Sequence, residues 1–215
     1  MNKIRTSTQA SDLLDREFAW RLKEIANLKS SIRTAESIIR KTLLRAGVPL
    51  LYAHWEGFVK NAAEIYLNYV ANQRHTYNEL KSCFVVHGVK AKLNLLIDAQ
   101  KAELNTSIVD FLLDELNERA SIPYKDIINT QSNLNSSVFK SIAYSIGIDP
   151  SAYATKYIFI DKSVLGRRNS IAHGEYLDLN IDDYNKLSDG IISLLRQFKT
   201  DVENALTFNA YKRSV

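Results

Sequence analysis

Apolar residues recurring at three- and four-residue steps, over stretches much longer than a strand, are the feature that most limits how this chain can fold. From Ser11 to Arg45 the series is Leu14, Phe18, Leu22, Ile25, Leu28, Ile32, Ala35, Ile38, Ile39 and Leu43, with charges between. That step places the apolar side chains on one helical stripe, and a strand would need strict alternation instead. The spacing predicts one long N-terminal helix, capped by Ser11 or Asp12 and ended by Gly47 and Pro49. Its Arg and Lys residues read as a solvated face. Pro49 suits the first turn of a second helix that runs to Gln73. The buried face of that helix takes Leu51, Trp55, Phe58, Val59, Ala62, Ile65, Tyr66 and Tyr69. With only three prolines and seven glycines in 215 residues, breakers are scarce and helix is favoured throughout.

The remaining chain repeats the theme with interruptions. Helical spacing returns at about 90–99, 107–118 and 136–146, and Ile181 to Asn209 carries another stripe from Tyr184 to Leu206. The polar, amide-rich stretch near 119–136 reads as a long loop or insertion, and Ile148 to Asp161 as an irregular connection with a short extended piece. Lys212 and Arg213 read as a frayed tail. The fold class is therefore all-α, and 215 residues are enough for one sizeable core or two small ones.

Charge and cysteine content narrow the setting. A net charge of +4 permits a nucleic-acid partner without requiring one. A single cysteine, Cys83, excludes an intramolecular disulfide and fits a reducing compartment. With no signal-like N-terminus and no apolar run of membrane length, the expectation is a cytoplasmic protein with no membrane association. Cys83 and His87 share a helix face, but without a second such pair they read as packing rather than a metal site. No cofactor motif is present.

Chemistry concentrates in Gly166-Arg167-Arg168-Asn169-Ser170-Ile171-Ala172-His173-Gly174-Glu175-Tyr176. A helix capped at Asp161 would run through Ala172 and stop at Gly174, which suits the left-handed position after a helix. Asn169 and His173, four apart, share one face, so the Asn169 amide can orient the imidazole. Arg168 and His173, five apart, diverge by roughly 140° on an ideal helix. They converge on one ligand only if the helix ends between them or a second chain supplies one of the two.

The string Arg-Asn-Ser-Ile-Ala-His-Gly at a helix end resembles the signature of HEPN-domain proteins. Leu51-Tyr52-Ala53-His54-Trp55-Glu56-Gly57-Phe58-Val59-Lys60, after a long charged helix, is similar to the MAE-type and RiboL-PSP-type HEPN-like nucleases. The resemblance covers about 12–206 and is weakest between Glu118 and Ser137. It implies a single all-helical domain over 1–215, built as an antiparallel helical bundle, that acts as a dimeric, metal-independent endoribonuclease, often the toxin or abortive-infection component of a prokaryotic defence system, with an antitoxin protein as partner. It also places Glu56 and Lys60, otherwise an ordinary i,i+4 ion pair, in the wall of a catalytic groove. Some HEPN toxins carry a tyrosine two residues past the histidine that a partner enzyme adenylylates. Tyr176 lies three past His173, one residue out of that register, and otherwise reads as an aromatic lid over the helix end.

The residues suit the reaction that the resemblance implies. RNA brings its own nucleophile, the 2′-hydroxyl, and its cleavage needs a base, an acid and positive charge on the phosphorane. An imidazole titrating near neutrality serves as base or acid, and a guanidinium offers fixed paired donors. Arg168 and His173 fill those roles, with Arg167 in a register one residue longer. One histidine per chain leaves the acid or the base unfilled, and a homodimer with two motifs across a two-fold axis supplies both. The competing reading is a catalytically inactive HEPN-like module that holds RNA or a nucleotide, or serves as a scaffold.

Overall fold

The structure is a computed structural model and describes residues 2–98, 106, 109–110 and 114–213. Three long helices make its frame: α1, Ser7–Thr34; α2, Ser37–Ala71; and the C-terminal α6, Ile181–Thr207. All three pack on one another. Between α2 and α6 lie α3, Ser82–Asp98, α4, Ser136–Ser145, and the short motif helix α5, Arg167–Ala172. No strand occurs among the described residues, where only isolated bridges pair Thr76 with Arg119 and Leu80 with Lys212. The chain is all-α, as its spacing predicts.

The core follows the apolar stripes. Leu14, Ile25 and Ile32 of α1 meet Leu51, Trp55, Phe58, Val59, Ala62 and Tyr66 of α2. Tyr184, Leu187, Ile191, Leu194, Leu195, Phe198 and Val202 close the third side from α6. Phe139 of α4 links this core to the C-terminal half, with its ring 5.2 Å from Trp55 and 5.7 Å from Phe198.

The first helix ends earlier than the sequence predicts. The break lies at Ala35 and Glu36, both extended in ψ, and Gly47 and Pro49 run inside α2. Arg40 explains the break, because its side chain folds back to donate to the Ile32 and Ala35 carbonyls at 3.1 and 2.6 Å. A guanidinium that satisfies the last carbonyls of α1 does the work of a terminal glycine. Gly47 is a site of close approach rather than a terminator, since a Cβ there would stand 2.6 Å from the Tyr184 ring. α2 continues through Pro49, which cannot donate its backbone hydrogen bond, with Leu44, Val48 and Leu51 buried around it. Ile38 and Ile39, beyond the break, leave the stripe and are 84% and 54% exposed.

Other boundaries also move. The connection before the motif is helical rather than extended, with a 3₁₀ segment, Pro150–Lys156, leading into a π segment, Phe159–Gly166. The C-terminal tail is pinned rather than frayed: Lys81 N–H donates to the Tyr211 carbonyl and Arg213 N–H to that of Glu79, both at 2.9 Å. The stretch expected to be a loop near 119–136 is irregular from Ala120 to Asn135, yet it buries Ile122, Ile128 and Leu134 against the helices. Most of the helix expected at 107–118 lies outside the described residues.

Nor is α1 charged only on its solvent side. Arg21 is buried, pairs with Glu17 at 2.6 Å and lies over the Trp20 ring. Glu17 also accepts from Asn61 of α2 at 2.7 Å. Burial opposes the Glu17 charge, but these hydrogen bonds and the Arg21 guanidinium outweigh it and hold the carboxyl below its usual range.

Candidate functional site

The motif occupies the end of one continuous helical run. Its π segment is wider than an α-helix, a form frequent beside functional sites, and is fixed by buried Ile160, Val164 and Leu165. Phe159 lies so close to α6 that a Cβ on Gly190 would stand 2.3 Å from its ring. Asp161 does not cap the motif helix, as the run passes straight through it; its carboxylate accepts from Ser136 of α4 instead. The other end matches expectation. Gly174 has φ +79°, Gly174 N–H donates to the Ile171 carbonyl at 3.1 Å and Glu175 N–H to that of Ser170 at 2.9 Å. This is a Schellman closure, in which glycine takes the left-handed residue.

Because the π segment stops at Gly166, the interval from Arg168 to His173 keeps α-helical spacing, and the two side chains diverge as an α-helix requires. Arg168 is half-buried and its guanidinium lies 4.5 Å from the centroid of the Tyr52 ring on α2. Its Nη1 donates to Asn169 Oδ1 at 2.8 Å and its Nη2 to the Ser132 carbonyl at 3.4 Å. His173 stands exposed at the helix end, and among the described residues its imidazole has no hydrogen-bond partner. The Asn169 side-chain oxygen thus serves Arg168, while its backbone carbonyl receives the His173 N–H at 2.9 Å. Arg167 is half-buried and makes no side-chain hydrogen bond or ion pair among the described residues.

The stripe Tyr52, Glu56, Lys60 and Glu64 on α2 is not an open surface. Tyr52 is 2% exposed, and its hydroxyl accepts the Leu134 N–H at 2.7 Å. Burial pushes the Tyr52 phenol up to about 12; the Glu56 carboxylate acts in the same direction, against the Leu134 N–H and the Arg168 charge. Glu56 and Lys60 do not pair, and one oxygen each of Glu56 and Glu64 is buried without a hydrogen-bond partner. Burial raises the Glu64 carboxyl, opposed by Lys60. The irregular stretch ending at Leu134 therefore walls in the site. In the sequence Tyr52 is visible only as the first residue of this stripe, one turn before Glu56.

Tyr176 does not cover the helix end. It is 76% exposed and lies over α2, with the Arg45 guanidinium 5.5 Å from its ring centroid and Arg45 donating to the Glu175 carbonyl at 3.0 Å. A groove of about 360 Å³ opens beside it, lined by Ile38, Thr42, Arg45 and Leu177 among others. Away from the motif, the half-buried His87 donates from Nε2 to the Ser145 carbonyl at 2.9 Å. Among the described residues no group of three or more His, Cys, Asp or Glu is placed to hold a metal.

The family model for RiboL-PSP-HEPN matches residues 16–204. This chain belongs to the RiboL-PSP-HEPN family. The matched span holds all the residues just described, from Tyr52 through Ser132 to Tyr176. No curated protein and no solved structure matches the chain. Among the described residues, no helix of this HEPN protein is long and apolar enough to cross a membrane.

Proposed function

We propose that this HEPN protein is a metal-independent endoribonuclease that cleaves RNA by attack of the 2′-hydroxyl on the adjacent phosphate. HEPN membership by itself carries the coarser reading of a nuclease or RNA-binding module. One observation favours cleavage: a guanidinium held on its face and edges stands in the same helix as an imidazole left open to solvent. An arginine with a fixed plane can meet the phosphorane oxygens without reorganising, which is where electrostatic stabilisation is most effective. An unpartnered imidazole is free to take the 2′-hydroxyl proton or to protonate the departing 5′-oxygen. The products are then a 2′,3′-cyclic phosphate and a 5′-hydroxyl.

Two copies of the motif make the site complete, so the active species in this reading is a homodimer with Arg168 and His173 facing across a two-fold axis. Glu56 and Lys60 stand in the groove wall, and Asn169 steadies Arg168. The biological role is a toxin or abortive-infection component held in check by an antitoxin protein. The test is incubation of total RNA in excess EDTA with the wild type, His173→Ala and Arg168→Ala. Either substitution lowers cleavage by roughly 10²-fold or more while helical circular dichroism is unchanged. Arg167→Ala is milder. Full cleavage by both variants, or a strict need for Mg²⁺, overturns the assignment; RNA binding without cleavage by the wild type establishes the inactive binding module.

A further inference from the structure

We infer that Tyr52 is the positioning residue for the Arg168 guanidinium, an inference that rests on the ribonuclease reading for its catalytic consequence. An arginine side chain has many rotamers, and its usefulness to a phosphorane depends on where its planar fork points. Arg168 is held in three ways: the Tyr52 ring on its face at 4.5 Å, Asn169 Oδ1 at 2.8 Å and the Ser132 carbonyl at 3.4 Å. The Asn169 contact is local to the motif helix. The other two both depend on Tyr52.

The ring contact is direct. Tyr52 is 2% exposed, near the centre of α2 and beside buried Leu51, so packing holds its ring in place. The Ser132 contact is indirect. Gln131 and Ser132 both have left-handed backbone, with φ of +56° and +54°, a conformation that non-glycine residues hold only where the surroundings impose it. Two residues on, the Leu134 N–H is tied to the Tyr52 hydroxyl at 2.7 Å and the Leu134 side chain is fully buried. One phenol thus supplies the face on which Arg168 lies and anchors the loop whose carbonyl meets its edge. Glu56, one turn along α2, is placed to accept the phenolic proton's hydrogen bond and fix the hydroxyl so that its lone pair meets the Leu134 N–H. Tyr52 itself does not exchange protons with substrate: it lacks surface, and burial keeps its phenol at about 12.

The test compares Tyr52→Phe with Tyr52→Leu in the full chain. The first readout is the Arg168 side-chain Nε–H resonance, assigned by its loss in Arg168→Lys, because a guanidinium over an aromatic ring carries a ring-current shift. Tyr52→Phe keeps that shift and Tyr52→Leu abolishes it. Hydrogen exchange at the Leu134 amide accelerates in both, since both lack the hydroxyl. The second readout is RNA cleavage. Tyr52→Leu lowers kcat by roughly 10²-fold with KM within about threefold, the scale of a misplaced catalytic group, and Tyr52→Phe recovers most of that loss. If Tyr52→Leu loses its cooperative unfolding transition, Tyr52→Met replaces it as the ring-deleted variant. An Arg168 resonance that ignores loss of the ring overturns the inference, as does a moved resonance with kcat unchanged. A wild type that cleaves no RNA ends the ribonuclease reading instead; the resonance then decides whether Tyr52 orients Arg168 at all.

Discussion

Asp161 accepts two hydrogen bonds from Ser136, at 2.7 Å from its backbone N–H and 2.6 Å from its hydroxyl. The carboxylate sits in the π segment before the motif, and Ser136 is the first residue of α4. A negative charge at an orphan N–H of a helix start is doubly favourable, through the hydrogen bond and the helix dipole. The pair clamps the motif helix to α4 across 25 residues of chain. Asp161→Ala is expected to lower stability by about 1–2 kcal/mol, measured as the urea midpoint at constant m. Asp161→Asn retains part of this. An unchanged midpoint in both would mean that the clamp contributes nothing.

Gly47→Ala should destabilise. Helix propensity alone gives the opposite sign, because alanine in a helix interior is better than glycine by roughly 0.5–1 kcal/mol. The added Cβ would stand 2.6 Å from the Tyr184 ring, which is itself buried and cannot retreat. Overpacking of this kind costs about 1–3 kcal/mol and wins. Thermal melting reads the sign directly, and Gly47→Ala combined with Tyr184→Leu should recover stability relative to Tyr184→Leu alone.

His54 makes stability fall in mild acid. It is 2% exposed, its Nε2 lies 3.0 Å from Glu24 Oε2 without the alignment of a hydrogen bond, and Trp20 packs edge-on against its ring. Burial lowers its pKa from the ordinary 6.5, with the Arg21 charge acting the same way and Glu24 opposing them. The unfolded chain therefore binds a proton that the folded chain refuses. The stabilisation is complete above the unfolded value of 6.5 and declines as pH falls below it, towards the lowered folded pKa. His87 is shifted downwards as well, chiefly by burial, and adds the same slope. Urea midpoints measured between about pH 5 and 7 should fall in the wild type and fall less steeply in His54→Gln. Glu17 acts lower: its depressed carboxyl stabilises above the ordinary carboxylate range, and that stability goes only as pH drops through the depressed value.

Much of this architecture was legible in the sequence where one side chain decided one local matter. The stripes of α1, α2 and α6 stand as spaced, and Gly174 closes the motif helix because nothing but glycine takes φ +79° there without strain. The misplaced boundaries share a physical cause, which is contact between separate elements. Arg40 reaches back to end α1, Tyr184 from α6 decides the role of Gly47, and Asp161 is spent on Ser136 rather than on its own helix. Local propensity carries none of that information. Arg168, Asn169 and His173 stand out in the sequence as one motif, by residue type and by family resemblance, but the side chains packed around Arg168 do not. Ser132 and Leu134 lie in the stretch that matches no helical pattern, and Tyr52 looks like one more residue on a polar stripe until Leu134 is seen to depend on it.

The last expectation concerns a composite site. Within one chain Arg168 points to Tyr52 and Ser132, while His173 stands exposed at the helix end with no side-chain partner. Five α-helical residues separate them by roughly 140°, and the π segment ends too early to reduce that angle. Surface apolar groups lie beside the same end: Ile38 is 84% exposed, and Tyr176, 76% exposed, shares a groove with it. A two-fold contact there would bring the motifs of two copies together. Ile38→Asp is therefore expected to shift the protein towards monomer in light scattering and to lower RNA cleavage in parallel. Heterodimers isolated with two different tags test the sharing of groups. A His173→Ala subunit paired with an Arg168→Ala subunit regains one competent half-site if histidine and arginine act across the axis, so cleavage approaches half that of the wild type. It stays inactive if both histidines act together as acid and base. Either result fits a shared site, and a wild type that cleaves while remaining monomeric at working concentration would end the composite model.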